Sequence, residues 1–479
     1  MLYKLGIPVL DNLMKHTFNM PSLLVVAGHP GSGKTTFATK ICYSNALEEK
    51  HCAYLTLQED KEKLYATMKR LGMDLSMVEA KGYYHYARLP IMGATIDVAL
   101  DSINKIIEDI NPNIVVVDSI NALLSSIEDQ SRTARAILQN YFYNLPRIIN
   151  GLVVLIAEIP FYRQDILLGS LEFVADTIII LKHRIEKGRL VRALEIRKAR
   201  GAPILEAEMP FTIMEGKGLR VFASPVLERI REKGEELKLP CEELEHAMGF
   251  LKLGDHVYSY FPADERPLEG LMLAFAISVY NDKKLQIISY RYGSESLAIL
   301  LWRGTEHASS IYEKLKGVTI DKVSLYNVFK KYVERKTALV GINPFAYSLQ
   351  ELFIEELELI DNEKADIVMF HGSDIIEAVQ KPEDYIPLIY NQVHQLKFKG
   401  KLVVRANADY NPIYKEIGSS IADVIIGWEN RPCPDDATKH CRTGIIWGRG
   451  KTKVLLKDLD IWKCIAMGLE PLFKEATVE

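Results

Sequence analysis

A chain of 479 residues exceeds one ordinary hydrophobic core and predicts two or three domains of conventional size. Its 48% hydrophobic and 25% charged residues exclude a disordered or fibrous chain, and a net charge of −4 offers no bulk attraction for nucleic acid. No apolar run approaches the roughly 20 residues of a membrane-spanning helix, and the N-terminus shows no apolar signal core, so a cytoplasmic protein without membrane segments is expected.

Ser22 to Ala27 is an apolar run of strand length, and Phe37 to Leu47 has helical character. Between them lies Gly28-His-Pro-Gly-Ser-Gly-Lys-Thr-Thr36, which satisfies Gly-x-x-x-x-Gly-Lys-[Ser/Thr] through Gly28, Gly33, Lys34 and Thr35. Glycines let backbone N–H groups turn inward around phosphates, and the following helix N-terminus adds positive potential. ATP with Mg²⁺ is the expected ligand, held by Gly28, Pro30, Gly31, Ser32, Gly33, Lys34, Thr35 and Thr36. Lys34 reaches the β- and γ-phosphates, Thr35 places its hydroxyl on Mg²⁺, and Thr36 caps the helix or touches the α-phosphate. A glycine turn that merely opens a helix would leave this lysine and threonine unexplained. Further on, Asn113 to Asp118 is an apolar strand ending in an acid, the arrangement that holds Mg²⁺ through water.

Four more segments extend the pattern: Gly6-Ile-Pro-Val-Leu-Asp11-Asn-Leu13, Tyr54-Leu-Thr-Leu-Gln58-Glu59-Asp60, Glu172-Phe-Val-Ala-Asp176 before Thr177 to Leu181, and Lys198-Ala-Arg200-Gly201 before Met209-Pro-Phe-Thr-Ile213. With them, residues 1 to about 225 resemble the KaiC branch of the RecA superfamily. The resemblance implies that Glu59 polarises the attacking water, since a carboxylate can accept its proton and an amide cannot. Gln58 stands where the family carries a second acid, which implies slow hydrolysis. The resemblance also implies that Lys198 and Arg200 complete the ATP site of a neighbouring subunit in a ring, a hexamer in the family. On the residues alone, Gln58-Glu59-Asp60 also reads as a helix cap, and Arg197, Lys198 and Arg200 as a solvated edge-strand face. Ala157-Glu158-Ile159 departs from the family's Thr-Thr-Glu, which leaves the sensing of γ-phosphate loss open.

After a Glu- and Lys-rich stretch read as a helical connector, the order of elements repeats. Asp366 to His371 matches Asn113 to Asp118, Ser420 to Asp423 matches Phe173 to Asp176, and Trp447 to Gly450 matches Lys198 to Gly201, at offsets of 253, 247 and 249 (371−118, 423−176, 449−200). The chemistry is missing from the copy. Taking Pro262 against Pro30 sets Arg266 at the Lys34 position and Pro267 at Thr35, with Asp264 and Glu265 where phosphates would sit. His371 replaces the magnesium acid, and Ser289-Tyr290-Arg291 replaces the end of the catalytic strand. The expected architecture is α/β, two tandem RecA-like P-loop domains, each a mostly parallel twisted sheet flanked by helices: an active domain at 1–226, a linker at 227–250 and a degenerate domain at 251–479 without kinase activity. The six cysteines, irregularly spaced, are expected as reduced core thiols; Cys433 and Cys441 flank His440 without further metal ligands nearby, and their pairing stays open.

The leading functional expectation is an oligomeric ATPase, binding ATP and ADP, that passes a slow hydrolysis signal to its empty second domain and to a protein partner. The alternatives are a RadA-like repair paralogue binding DNA through Ser131-Arg132 to Arg135 and Phe161-Tyr162-Arg163, and a nucleotide-gated scaffold without turnover. Nucleic acid is the less favoured partner.

Overall fold

The computed structural model describes residues 2–89, 95–126, 132–159, 171–186, 188–204, 207–222, 234–409, 411–433 and 436–477. Ser131, Phe161, Tyr162 and Arg163, and the side chains of Arg132, Arg135, Cys433, His440 and Cys441, lie outside what it describes. The chain divides into two compact units, Met1–Ser224 and Pro225–Glu479.

Unit 1 is built on a nine-stranded sheet in the order β3-β2-β4-β5-β1-β6-β7-β8-β9. Its strands are β1 (Ser22–Gly28), β2 (Cys52–Thr56), β3 (Tyr84–Arg88), β4 (Ile114–Asp118), β5 (Leu152–Glu158), β6 (Thr177–Glu186), β7 (Arg189–Ala199), β8 (Glu208–Met214) and β9 (Gly218–Val221). From β3 to β6 every pair is parallel, and the last four strands are antiparallel. A parallel strand covered on both faces has no solvent side, which is why β1, β2 and β4 are continuous buried runs. Helix Lys34–Ala46 seats Phe37, Ala38 and Ile41 on one face against Leu24, Val26 and Val116. The other face, Leu23, Val25, Ala27, Leu155 and Ala157, is wholly apolar and packs against Ile103, Leu138 and Phe142.

Unit 2 repeats this plan with eight strands ordered β14-β13-β15-β16-β12-β17-β18-β19, beside a small pair, β10 (Glu236–Leu237) with β11 (Leu251–Lys252). They are β12 (His256–Pro262), β13 (Leu285–Ser289), β14 (Thr337–Gly341), β15 (Ile367–His371), β16 (Leu402–Asp409), β17 (Val424–Cys433), β18 (Asp436–Gly448) and β19 (Val454–Lys457). A shared hydrogen-bond signature fixes the register between units. Leu23 N donates to Asp176 Oδ2 at 3.0 Å while Asp176 N donates to Leu23 O, and His256 and Asp423 repeat both bonds at 2.8 Å. Leu23 therefore corresponds to His256, and Gly28 to Phe261.

Of the stretch read as a connector, helix Glu242–Met248 buries Leu244, Ala247 and Met248 in the core of unit 2. The cysteine expectation needs correction. Cys42 and Cys52 are free and buried, but Cys241 and Cys464 form a disulfide, with Cα atoms 5.2 Å apart. A separation of 223 residues leaves no local spacing to read; the pair meets because Cys241 caps helix Glu242–Met248 and Cys464 lies within helix Asp458–Gly468. No helix among the described residues is long and apolar enough to cross a membrane.

Candidate functional site

The loop between β1 and helix Lys34–Ala46 needs its glycines for definite reasons. Gly31 and Gly33 adopt φ of +77° and +100°, the left-handed region that side chains disfavour. A Cβ on Gly28 would stand 2.4 Å from Leu181 O, and one on Gly33 would stand 2.6 Å from Ile213 Cδ1. Lys34 is buried and donates from Nζ to His29 O at 2.9 Å, closing the loop on itself. Burial pushes its ammonium pKa down, opposed by the charges of Glu158 and Asp118. An anionic guest offers that ammonium a better partner than a carbonyl.

Asp118 is the node of the site. Its Oδ2 accepts from Thr35 Oγ1 at 2.9 Å and from the Tyr54 hydroxyl at 2.5 Å. The structure thus brings the loop threonine and the strand-end acid into direct contact, and adds Tyr54, which the sequence reading had treated only as part of a strand. Alternation along β2 was the available signal: Tyr54 points to the same face as Thr56, toward helix Lys34–Ala46. Two hard oxygen groups side by side fit Mg²⁺, which takes few protein ligands and keeps its waters. Glu59 follows β2 half-buried, its N–H bonded to Thr56 Oγ1 at 3.1 Å. Burial first and then Asp118 push its carboxyl pKa up.

Lys198 and Arg200 are not brought to this cluster within the chain. They end β7 beside the start of β6, whereas the loop follows the opposite end of β1. Lys198 Nζ donates to Glu172 O at 2.8 Å, and Arg200 Nη1 pairs with Asp176 Oδ1 at 3.1 Å. Arg449 makes the corresponding pair with Asp423 at 2.7 Å and a second with Asp255 at 2.8 Å. An arginine clasping the aspartate at the foot of the sheet is therefore common to both units, a structural role that sequence reasoning missed.

The corresponding cradle of unit 2 is filled from within. The connection from Phe261 to the next helix is two residues longer than that from Gly28, so the helix begins at Glu269 and not near Arg266. This corrects the alignment of Arg266 with Lys34: Arg266 turns to the carbonyls of Ala263 and Glu265, and buried Glu269 stands at the head of the helix. Arg442 bridges Glu265 Oε2 at 3.1 Å and Glu269 Oε1 at 3.0 Å, so a guanidinium ties the loop to the head of the following helix. His371, at the position of Asp118, bonds Ser289 Oγ at 3.1 Å, and burial, then Arg291 and Arg266, pushes its pKa down to about 4. Among the described residues the His, Cys and acid group close enough for a metal is Cys241, Glu243 and Cys464, whose sulfurs are bonded to each other.

A parallel sheet with a phosphate loop after its central strand defines a P-loop nucleotide-binding protein of RecA type. The family model described as KaiC ATPase matches residues 3–226. The chain is 23% identical over 256 residues to the circadian clock protein KaiC3 of Synechocystis, covering 51% of this chain and 50% of the relative. It is 26% identical over 207 residues to the circadian clock oscillator protein KaiC of Synechococcus elongatus, at 41% and 40% coverage. A UPF0273 protein of Pyrococcus horikoshii is 25% identical over 244 residues, 47% of this chain and 96% of that protein. The chain thus spans about half or less of the KaiC relatives. Residues 3–226 are similar to the KaiC ATPase domain, and the chain carries two RecA-like α/β units in tandem.

Proposed function

We propose that unit 1 hydrolyses ATP slowly with Mg²⁺, at subunit interfaces of a ring, and that the nucleotide state is relayed to a unit 2 that binds no nucleotide and has no kinase activity. The observation that carries this reading is the convergence of Thr35 and Tyr54 on Asp118 beside a phosphate loop whose lysine is buried. Bound Mg²⁺ would supply charge neutralisation at the β- and γ-phosphates. Gly28 to Thr36 would hold the phosphates, with Lys34 along them, and Asp118 and Thr35 would hold the cation. Glu59 takes the proton of the attacking water, and Gln58 beside it leaves that step with one carboxylate. Lys198 and Arg200 meet developing charge in the neighbouring copy, which requires them to leave Glu172 and Asp176 on assembly. Supporting the silence of unit 2 are Glu269, Arg442 and His371 at the positions where phosphate and cation would be held.

The test is ATP binding and phosphate release by the full chain. Lys34→Ala should lose ATP binding and ATP-dependent assembly on gel filtration, while Glu59→Gln should bind ATP and release phosphate at background rate. Equal phosphate release by wild type and Glu59→Gln would leave a non-hydrolysing nucleotide-gated scaffold. Salt-dependent retention of single-stranded DNA would instead favour a repair role.

A further inference from the structure

The face of the unit 2 sheet opposite its helix Glu269–Tyr280 is chemically unlike its counterpart in unit 1. Register-matched positions that are Leu23, Val25, Leu155 and Ala157 in unit 1 are His256, Tyr258, Arg405 and Asn407 in unit 2. Burying these groups opposes folding unless something satisfies them, so their presence needs a reason. They line a cavity with Glu377, Tyr414 and Gly418 that has room for one or two water-sized groups.

Arg405 is 3% exposed, yet its partners are uncharged: Nη2 donates to Gln392 Oε1, and the guanidinium lies 4.6 Å from the Phe370 ring centre. No carboxylate pairs with it within ion-pair distance among the described residues, and its buried Nε has no partner. His256, fully buried, faces the Ile421 carbonyl through Nδ1 at 3.3 Å, so Nδ1 carries the proton and the unpartnered Nε2 presents a lone pair. Of the acids beside this face, Asp374 pairs with Arg291 and Asp409 with Lys415, while Glu356 is engaged by the neutral donors Tyr290 and Gln392 and Glu377 by Asn407. Burial raises the pKa values of Glu356 and Glu377 to about 7 and about 8, which favours their neutral forms below those pH values. The face therefore carries an unbalanced positive charge beside a small cavity.

We propose that this cavity is a halide site, in which a monovalent anion of chloride or bromide size accepts from Arg405 Nε and a water bridges it to His256 Nε2. The cavity's small volume excludes polyatomic organic anions, and the bridging water donates one hydrogen to the imidazole and one to the halide. The proposal does not depend on ATP chemistry in unit 1.

The test uses the full chain at pH 6, where Glu356 and Glu377 are neutral. All four tryptophans, Trp302, Trp428, Trp447 and Trp462, lie in unit 2, so urea unfolding followed by their fluorescence reports that unit. Sodium bromide replaces sodium gluconate at constant ionic strength. The unfolding midpoint of wild type should rise with bromide, the unfolding constant falling roughly tenfold per tenfold bromide once the site saturates. Arg405→Gln should abolish the dependence, and Glu377→Gln, which fixes that side chain in its neutral form, should retain it. A midpoint indifferent to bromide in both wild type and Glu377→Gln would overturn the proposal, as would equal dependence in Arg405→Gln. In bromide-soaked crystals an anomalous peak is expected beside Arg405 Nε, and its absence would also overturn it.

Discussion

Tyr54→Phe isolates the hydrogen bond that sets Asp118. The substitution removes one oxygen from a fully buried ring and leaves its packing in the core intact, so any effect comes from the bond to Asp118 Oδ2. Burial raises the pKa of the Tyr54 hydroxyl, with Asp118 adding to the effect, so it remains a donor throughout the working range. A hydrogen bond to a charged group contributes about 1.5–3 kcal/mol, and Thr35 is left as the remaining side-chain donor in this cluster. Urea unfolding followed by ellipticity should show unit 1 destabilised by about that amount, with the tryptophan signal of unit 2 unchanged. ATP affinity measured with Mg²⁺ should fall by up to roughly 100-fold, and affinity measured in a chelator should not move. Unchanged unfolding, or equal losses with and without Mg²⁺, would refute the placement of Tyr54 as the residue that orients the magnesium acid.

The buried polar face of unit 2 predicts its pH profile. Burial lowers His256 and His371 from 6.5 to about 3 and about 4, so stability is lost as pH falls below about 6.5, where the unfolded state binds more protons. Burial raises Glu356 and Glu377 from 4.5 to about 7 and about 8, so stability is lost as pH rises above 4.5, where the folded state binds more. The two slopes oppose one another between pH 4.5 and 6.5, and tryptophan-monitored unfolding midpoints at pH 3.5, 5.5 and 8 should peak at 5.5; a profile rising steadily to pH 8 would contradict this. Reduction of Cys241–Cys464 should cost unit 2 about 2–5 kcal/mol on the same signal and leave unit 1 unmoved, and an unchanged midpoint in reductant would exclude a closed bond.

The phosphate loop was legible in the sequence because its chemistry is local: glycines, lysine and threonine at fixed spacing admit few other uses. The strand that ends in Asp118 and the repeat in unit 2 were legible for the same reason, as apolar runs of definite length ending in polar residues. What escaped was non-local. Tyr54 meets Asp118 across 64 residues, and Cys241 meets Cys464 across 223, through sheet order that no spacing records. The longer loop of unit 2 defeated an alignment anchored on Pro262, because a proline marks a turn without fixing its length. Arg405 read as one basic residue inside a strand, and only the sheet register shows that it occupies the position Leu155 holds in unit 1.

The bond between Cys241 and Cys464 has a mechanical meaning as well. Nearly all of unit 2 lies between these residues, so the chain there is a covalent ring entered and left at one point. A force drawn between the two ends of the protein bypasses the ring, and the thread pulled out is shorter by about 75 nm of contour. A machine that unfolds proteins by hauling on one terminus would meet a double strand of chain at this knot of sulfur, and the redox poise of the surroundings decides whether it passes.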